Sequence, residues 1–124
     1  MNYTDLPAFN GLFMEESYVL DIEVHPGMVT FTLDLVLTPE HPQYSGPQSG
    51  EQYCYRRGNL LFSGVENFTW TGQGAPPAID ATGEVDYGTV EFFIHNHAGY
   101  CLEGSWGRIQ LTARDVEVNL AVLS

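Results

Sequence analysis

The stretch of sequence that decides the fold runs from residue 17 to residue 37 and reads SYVLDIEVHPGMVTFTLDLVL. Apolar and polar residues alternate through it, and a period of two is typical of a β-strand with one buried face. Pro26 and Gly27 interrupt the alternation and form a turn signal. The stretch therefore predicts an antiparallel hairpin that joins roughly residues 17–25 to residues 28–38.

The alternation also predicts how the two strands of this hairpin pair. With a short loop between them, apolar residues of the first strand face apolar residues of the second. The expected pairs are Val24/Val29, Ile22/Phe31, Leu20/Leu33 and Tyr18/Leu35. A slip of one residue would move all of these side chains to the other face, so the pattern favours one register. The residues expected in the core are Leu20, Ile22, Phe31 and Leu33.

The rest of the chain has the same character, with short alternating runs between turn signals. An N-terminal segment, residues 1–16, holds at most a short helical turn, and residues 39–50 and 71–83 form two long loops. The alternation changes phase near the end of the chain, which predicts a bulge or turn at Arg114-Asp115. These 124 residues are typical of an all-β, single-domain antiparallel β-sandwich or small β-barrel.

Charge is the most unusual feature of the composition. The chain has 16 acidic side chains, four arginines and no lysine, for a formal net charge of -12. Nucleic acids and anionic membranes are bound through positive charge, so this composition opposes both kinds of partner. A basic protein surface would instead be attracted and would associate faster. Acidic surfaces also promote solubility, which would explain the charge without any partner.

Part of the acidic charge falls on the predicted hairpin. The alternation places Asp21, Glu23 and Asp34 away from the core, where we expect them to be solvated rather than paired. Glu40 and Tyr44 follow in the Pro-rich loop. Tyrosine is enriched in interfaces because it offers contact area at a low entropic cost. These five residues are the expected docking surface for a basic partner.

The segment EFFIHNH, which ends at His97, is the candidate for metal chemistry. Alternation assigns Val90, Phe92 and Ile94 to one face of the predicted strand and the two histidines to the other. Because His95 and His97 are two residues apart, both imidazoles could reach one metal ion. The alternative interpretation is that both are solvated residues at the end of a strand.

Further metal ligands would come from Glu103 or His41. The segment resembles in part the first cupin motif, with Gly88, His95, His97 and Glu103 in place of its glycine, its histidine pair and its glutamate. The gaps around the histidine pair are longer than in that motif, and too few residues follow for a second motif. The resemblance implies a β-barrel that binds a transition metal.

Two hypotheses of different classes follow. The first is a non-enzymatic protein-binding module that docks on a basic partner and needs no cofactor. Such a module is similar to small bacterial immunity proteins in size, charge and β content. The second is a cupin-like small-molecule binder or enzyme that requires a transition metal at His95 and His97. The acidic composition and the lack of another catalytic signature favour the first hypothesis.

The sequence also limits partners and location. Neither nucleic acid nor a membrane is expected as a partner, whereas unpaired sheet edges would allow homo-oligomers. No apolar run approaches the roughly 20 residues that span a bilayer, and the chain does not begin with a secretory signal. We therefore expect a cytoplasmic protein.

The two cysteines, Cys54 and Cys101, should both be reduced, because thiols stay reduced in the cytoplasm. Alkylation under denaturing, non-reducing conditions, followed by intact-mass measurement, should show both thiols labelled. A chain on which neither thiol reacts would contradict this prediction and indicate a disulfide bond.

Overall fold

The computed structural model describes residues 6–46, 53–72, 78–79, 85–96 and 99–120. These residues form a short 3₁₀ helix and ten β-strands. In chain order the elements are the 3₁₀ helix Pro7–Phe9 and the strands β1 (Leu12–His25), β2 (Met28–Leu37), β3 (Cys54–Ser63), β4 (Phe68–Thr71), β5 (Ala78–Ile79), β6 (Val85–Asp86), β7 (Val90–Asn96), β8 (Gly99–Gly104), β9 (Gly107–Leu111) and β10 (Asp115–Leu120).

Eight of the strands form two antiparallel sheets of four strands each. Sheet A has the order β1-β2-β3-β10, and sheet B has the order β4-β9-β8-β7. The short strands β5 and β6 pair with each other, so the loop expected at residues 71–83 contains a strand. Neither four-stranded sheet closes into a barrel within the described residues. The prediction of an all-β fold is confirmed, and the architecture is sandwich-like.

The hairpin β1–β2 has the predicted register at its tip. Val24 lies opposite Val29, and Ile22 lies opposite Phe31. The turn between the strands includes Gly27 at a φ of 75°, a left-handed conformation that glycine adopts without a steric penalty. The local alternation was therefore enough to predict this part of the sheet.

Further from the tip, the predicted pairing is wrong by one residue. The register shifts at Leu20, so that Val19 faces Leu33 and Tyr18 faces Asp34. This is the geometry of a β-bulge, in which one strand carries one extra residue. As a result Val19 is fully buried, whereas Leu20 is only partly buried.

Strand β1 begins at Leu12, inside the segment predicted to precede the sheet. A second irregularity in β1, between Phe13 and Tyr18, brings Ser17 into the interior. The Ser17 hydroxyl donates to the Phe13 carbonyl at 3.0 Å and accepts from the Val36 amide at 3.1 Å. A buried hydroxyl without partners would destabilise the fold, so these two bonds make the irregularity tolerable.

The core lies between the two sheets and covers the base of the hairpin better than its tip. Phe31 and Leu33 are fully buried, as predicted, but Leu20 and Ile22 are only partly buried. Val24 points to the core side of sheet A and is nevertheless 45% exposed. Sheet B therefore does not pack over the tip of the hairpin.

On one side of the sandwich, two chain segments pass together from one sheet to the other. The Arg114 amide donates to the Ser63 carbonyl at 3.0 Å where β3 and β10 pair. The Thr112 amide donates to the Asn67 carbonyl at 3.0 Å, just before β4 and β9 pair. The turn predicted near Arg114 is thus the point at which the chain changes sheets.

On the other side, β1 joins the sheets. The Val19 amide donates to the Gly88 carbonyl, and the Tyr87 amide donates to the Val19 carbonyl, both at 2.8 Å. Tyr18 forms an isolated antiparallel bridge with Thr89, which directly precedes β7. The sandwich is therefore held by backbone hydrogen bonds on both sides.

The uneven cover of the hairpin predicts unequal effects of two core substitutions. Phe31 makes edge-to-face contacts with Phe62 and Trp106, at centroid distances of 6.2 and 5.8 Å. We expect Phe31→Ala to lower the free energy of unfolding by about 3 to 5 kcal/mol. Ile22→Ala should lower it by at most about 2 kcal/mol, because Ile22 is only partly buried. Urea denaturation measures both, and equal losses would show that the tip is packed as tightly as the base.

Candidate functional site

The outer face of sheet A, opposite the core, is acidic at the end near the β1–β2 turn. Asp21 and Glu23 lie there on β1, and Asp115 and Glu117 lie on β10. All four residues are exposed. The two strands are the edges of the sheet, about 14 Å apart at the usual strand spacing. We call this surface the acidic end.

The register defines which residues lie between these carboxylates. The three cross-strand rows of the acidic end are His25–Met28–Ser63–Asp115, Glu23–Thr30–Leu61–Glu117 and Asp21–Thr32–Asn59–Asn119. These rows contain no lysine and no arginine. The hydroxyl of Thr32 donates to the Asn59 side-chain carbonyl at 3.2 Å, which orders the centre of the surface. The acidic end therefore carries negative charge along both of its edges, with Met28, Thr30 and Leu61 between them.

Asp34 lies on the same outer face, but the expectation that it is solvated rather than paired is wrong. The β2–β3 register places Arg57 directly opposite Asp34, and the Arg57 Nε donates to the carboxylate at 2.8 Å. The ion pair is partly exposed, so it adds little stability. Its main effect is to neutralise the central carboxylate and leave the net negative charge on the edge strands.

Glu40 and Tyr44, the other two expected docking residues, lie past the opposite end of β2. Glu40 is exposed and accepts a hydrogen bond from the Thr38 hydroxyl at 2.6 Å. That bond, together with one from the Glu40 backbone, lowers the pKa of the Glu40 carboxyl. Tyr44 is partly buried and packs against the core. Of the expected docking residues, the structure brings Asp21 and Glu23 together on the acidic end.

Aromatic side chains occupy the opposite end of the outer face. Phe13 and Tyr55 both lie opposite Val36, which is 2% exposed beneath them. Ring centroids are 6.2 Å apart for Phe13 and Tyr53, 6.2 Å for Tyr53 and Tyr55, and 5.8 Å for Tyr55 and Tyr18. We call these four rings the aromatic row. In the sequence, the only local indication of the aromatic row is that Tyr53 and Tyr55 are two residues apart, which places them on one face of a strand.

The metal hypothesis depends on strand β7, in which the predicted grouping of Val90 with Phe92 and Ile94 on one face is wrong. A register shift between Val90 and Phe92 brings Phe93 into the core, while Phe92 and Ile94 are exposed. His95 therefore lies on the inner side of sheet B. Its ring is partly buried and stacks on the ring of the buried Tyr100 at a centroid distance of 4.5 Å.

The other expected metal ligands do not surround His95. Glu103 lies opposite Phe92 on the outer side of sheet B and forms an ion pair with Arg108 at 3.1 Å. Within the described residues, no group of three or more His, Cys, Asp or Glu side chains could hold a metal ion. His97 lies outside the described residues. Glu103 and His95 face opposite sides of one sheet and cannot bind the same ion.

The imidazole of His41, the remaining expected ligand, has a structural role in the loop after β2. Its Nδ1 accepts a hydrogen bond from the Gln43 amide at 3.0 Å, and Arg56 donates to the Gln43 side chain at 2.5 Å. Burial, and to a lesser degree the positive charge of Arg56, lowers the pKa of His41 below its ordinary 6.5. The neutral imidazole is therefore the form that the folded loop favours.

Two further expectations concern the thiols and the membrane. Cys54 on β3 and Cys101 on β8 are free in the structure, as predicted. The described part of the chain has no helix with the length and apolar character needed to cross a membrane.

Comparison with known proteins adds no functional assignment. No protein-family model, no curated protein and no solved structure matches this chain. The outer face of sheet A, with its acidic end and its aromatic row, therefore carries the functional interpretation.

The lowered pKa of His41 predicts a specific loss of stability in acid. Below about pH 6.5 the unfolded chain binds a proton at this imidazole before the folded chain does. The contribution of His41 is thus complete above that pH and lost as the pH falls through the lower folded value. His41→Gln should make the free energy of unfolding less sensitive to pH between about 7 and 5.

Urea denaturation across this pH range measures the effect. The exposed His25, at the tip of the hairpin, supplies the matched control His25→Gln. Equal flattening in both variants would show that the effect does not come from the His41 environment.

Proposed function

We propose that this protein is a non-enzymatic protein-binding module that docks on a basic surface of a partner protein through the acidic end of sheet A. The observation that carries the proposal is the arrangement of four exposed carboxylates around three cross-strand rows that contain no lysine or arginine. In size, charge and β content such a module is similar to small bacterial immunity proteins, and it would act in the cytoplasm.

The electrostatics of the acidic end support this use. Exposed like charges on one surface repel one another and slightly destabilise the folded state. Asp34, in the middle of the face, is neutralised by Arg57, but the carboxylates of the edge strands have no such residue in their rows. A basic partner would remove the repulsion on binding. Charges at the periphery of an interface act mainly on the association rate and its salt dependence.

The proposal differs from a general solubility effect in one respect. Solubility depends on the net charge of the surface, wherever the carboxylates lie. Docking depends on the carboxylates of one face. Variants that remove the same charge from different places therefore separate the two explanations.

The test compares two triple variants of equal charge. The face variant carries Asp21→Asn, Glu23→Gln and Glu117→Gln. The off-face control carries Glu40→Gln, Glu91→Gln and Glu103→Gln, three residues with solvent-accessible side chains away from the acidic end. Each variant removes three negative charges.

Proteins retained from an extract of the native cell by the immobilised wild type provide the partner. We expect the retained partner to be basic and to associate with the face variant on the order of tenfold more slowly at low salt, with a flatter salt dependence. The off-face control should retain most of the wild-type rate. If both triple variants bind at the wild-type rate with the same salt slope, the acidic end serves solubility only.

A further inference from the structure

We infer that the aromatic row binds an arginine side chain that the basic partner presents, and that it forms the specific part of the docking surface. The inference rests on the proposed function, because that proposal supplies a basic partner. It adds the chemical identity of the partner's contact residue. The acidic end would attract the partner, and the aromatic row would recognise it.

The aromatic row is already ordered before any partner binds. Each ring contacts the next at a centroid distance of 5.8 to 6.2 Å, and the rings come from β1, β3 and the residue preceding β3. Val36, buried beneath Phe13 and Tyr55, supports them from the middle of the sheet. Side chains held in this way lose little conformational entropy on binding, which favours affinity.

One end of the row is open to solvent and lies beside carboxylates. Tyr18 is 38% exposed. In the β1–β2 register it lies opposite Asp34, and Asp21 lies opposite Thr32 in the row towards the acidic end. Because Arg57 neutralises Asp34, the carboxylate that a cation entering over Tyr18 from solvent would meet is Asp21.

This combination favours arginine over lysine. A guanidinium group is planar, stacks on aromatic rings and binds carboxylates with two donors, whereas an ammonium group is a compact and strongly hydrated charge. The face already holds one guanidinium, because the Arg57 Nε donates to Asp34 from β3. A second guanidinium, from the partner, would lie over Tyr18 on the side of Asp21.

A second copy of this chain is a poorer occupant of the row. A symmetric dimer through this face would bring identical surfaces together. Each copy carries a formal net charge of -12, so bringing two copies together has a cost in electrostatic repulsion. Charge complementarity therefore selects a basic partner.

The probes are two fluorescent peptides of equal length and charge, in which glycine alternates with four arginines or with four lysines. Fluorescence anisotropy measures their binding to the wild-type protein at low salt. We expect the arginine peptide to bind about two- to fivefold more tightly than the lysine peptide, because a planar guanidinium stacks on a ring and binds a carboxylate with two donors. Chemical shift changes should fall on Tyr18, Tyr55 and their neighbours.

Paired substitutions then test the rings themselves. Tyr18→Leu keeps an apolar side chain but removes the ring, and it should abolish the preference for arginine. Tyr18→Phe keeps the ring and should retain the preference. The same pair at Tyr55 provides a second position, and thermal unfolding verifies that each variant is folded.

The outcomes separate this inference from the proposed function. Equal affinity of the wild type for the two peptides, or an arginine preference that survives both leucine variants, would overturn the aromatic site. Dimerisation of the wild type that Tyr18→Leu abolishes would also overturn it, because a second copy would then occupy the row. The proposed function fails instead if the face variant and the off-face control weaken binding of both peptides equally.

Discussion

The structure depends on the hydrogen bonds that Val19 makes at the edge of sheet A. Its amide and carbonyl bind the segment that leads into β7, while the residue itself pairs with Leu33 on β2. Strand β1 thus belongs to sheet A and also ties that sheet to sheet B. The bulge at Leu20 makes this arrangement fit, because it turns Val19 inward and Tyr18 outward. Without that change of phase, Tyr18 could not extend the aromatic row.

The sequence predicted the fold wherever the alternation had polar residues to mark its phase. In the tip of the hairpin, Asp21 and Glu23 separate the apolar residues, and the register there is correct. The failures occur where two neighbouring residues are both apolar, at Val19–Leu20 and Phe92–Phe93. In such a pair either residue can face the core. For Val19 the inward position goes with its hydrogen bonds to Tyr87 and Gly88, which are remote in the chain and absent from a local pattern.

The candidate site was predictable in part for the same reason. Asp21 and Glu23 follow from the alternation, but the positions of Arg57 and Glu117 relative to them follow from the order of strands in sheet A. The aromatic row likewise needs β1 and β3 on either side of β2. Strand order results from contacts between remote parts of the chain, so the local pattern identifies residues of the face but not their arrangement.

The position of β10 has a consequence for when the acidic end is complete. Strands β1 and β2 are neighbours in the chain and can pair early, whereas β10 must pair with β3 across the long stretch of chain that carries β4 to β9. Pairing between remote segments is slow, because a long loop must close before any contact is gained. Glu23 and Glu117 therefore share a surface only in the completed fold. A growing or partly unfolded chain lacks the complete acidic end. A partner that contacts both Glu23 and Glu117 would therefore bind the folded protein in preference to an incomplete chain.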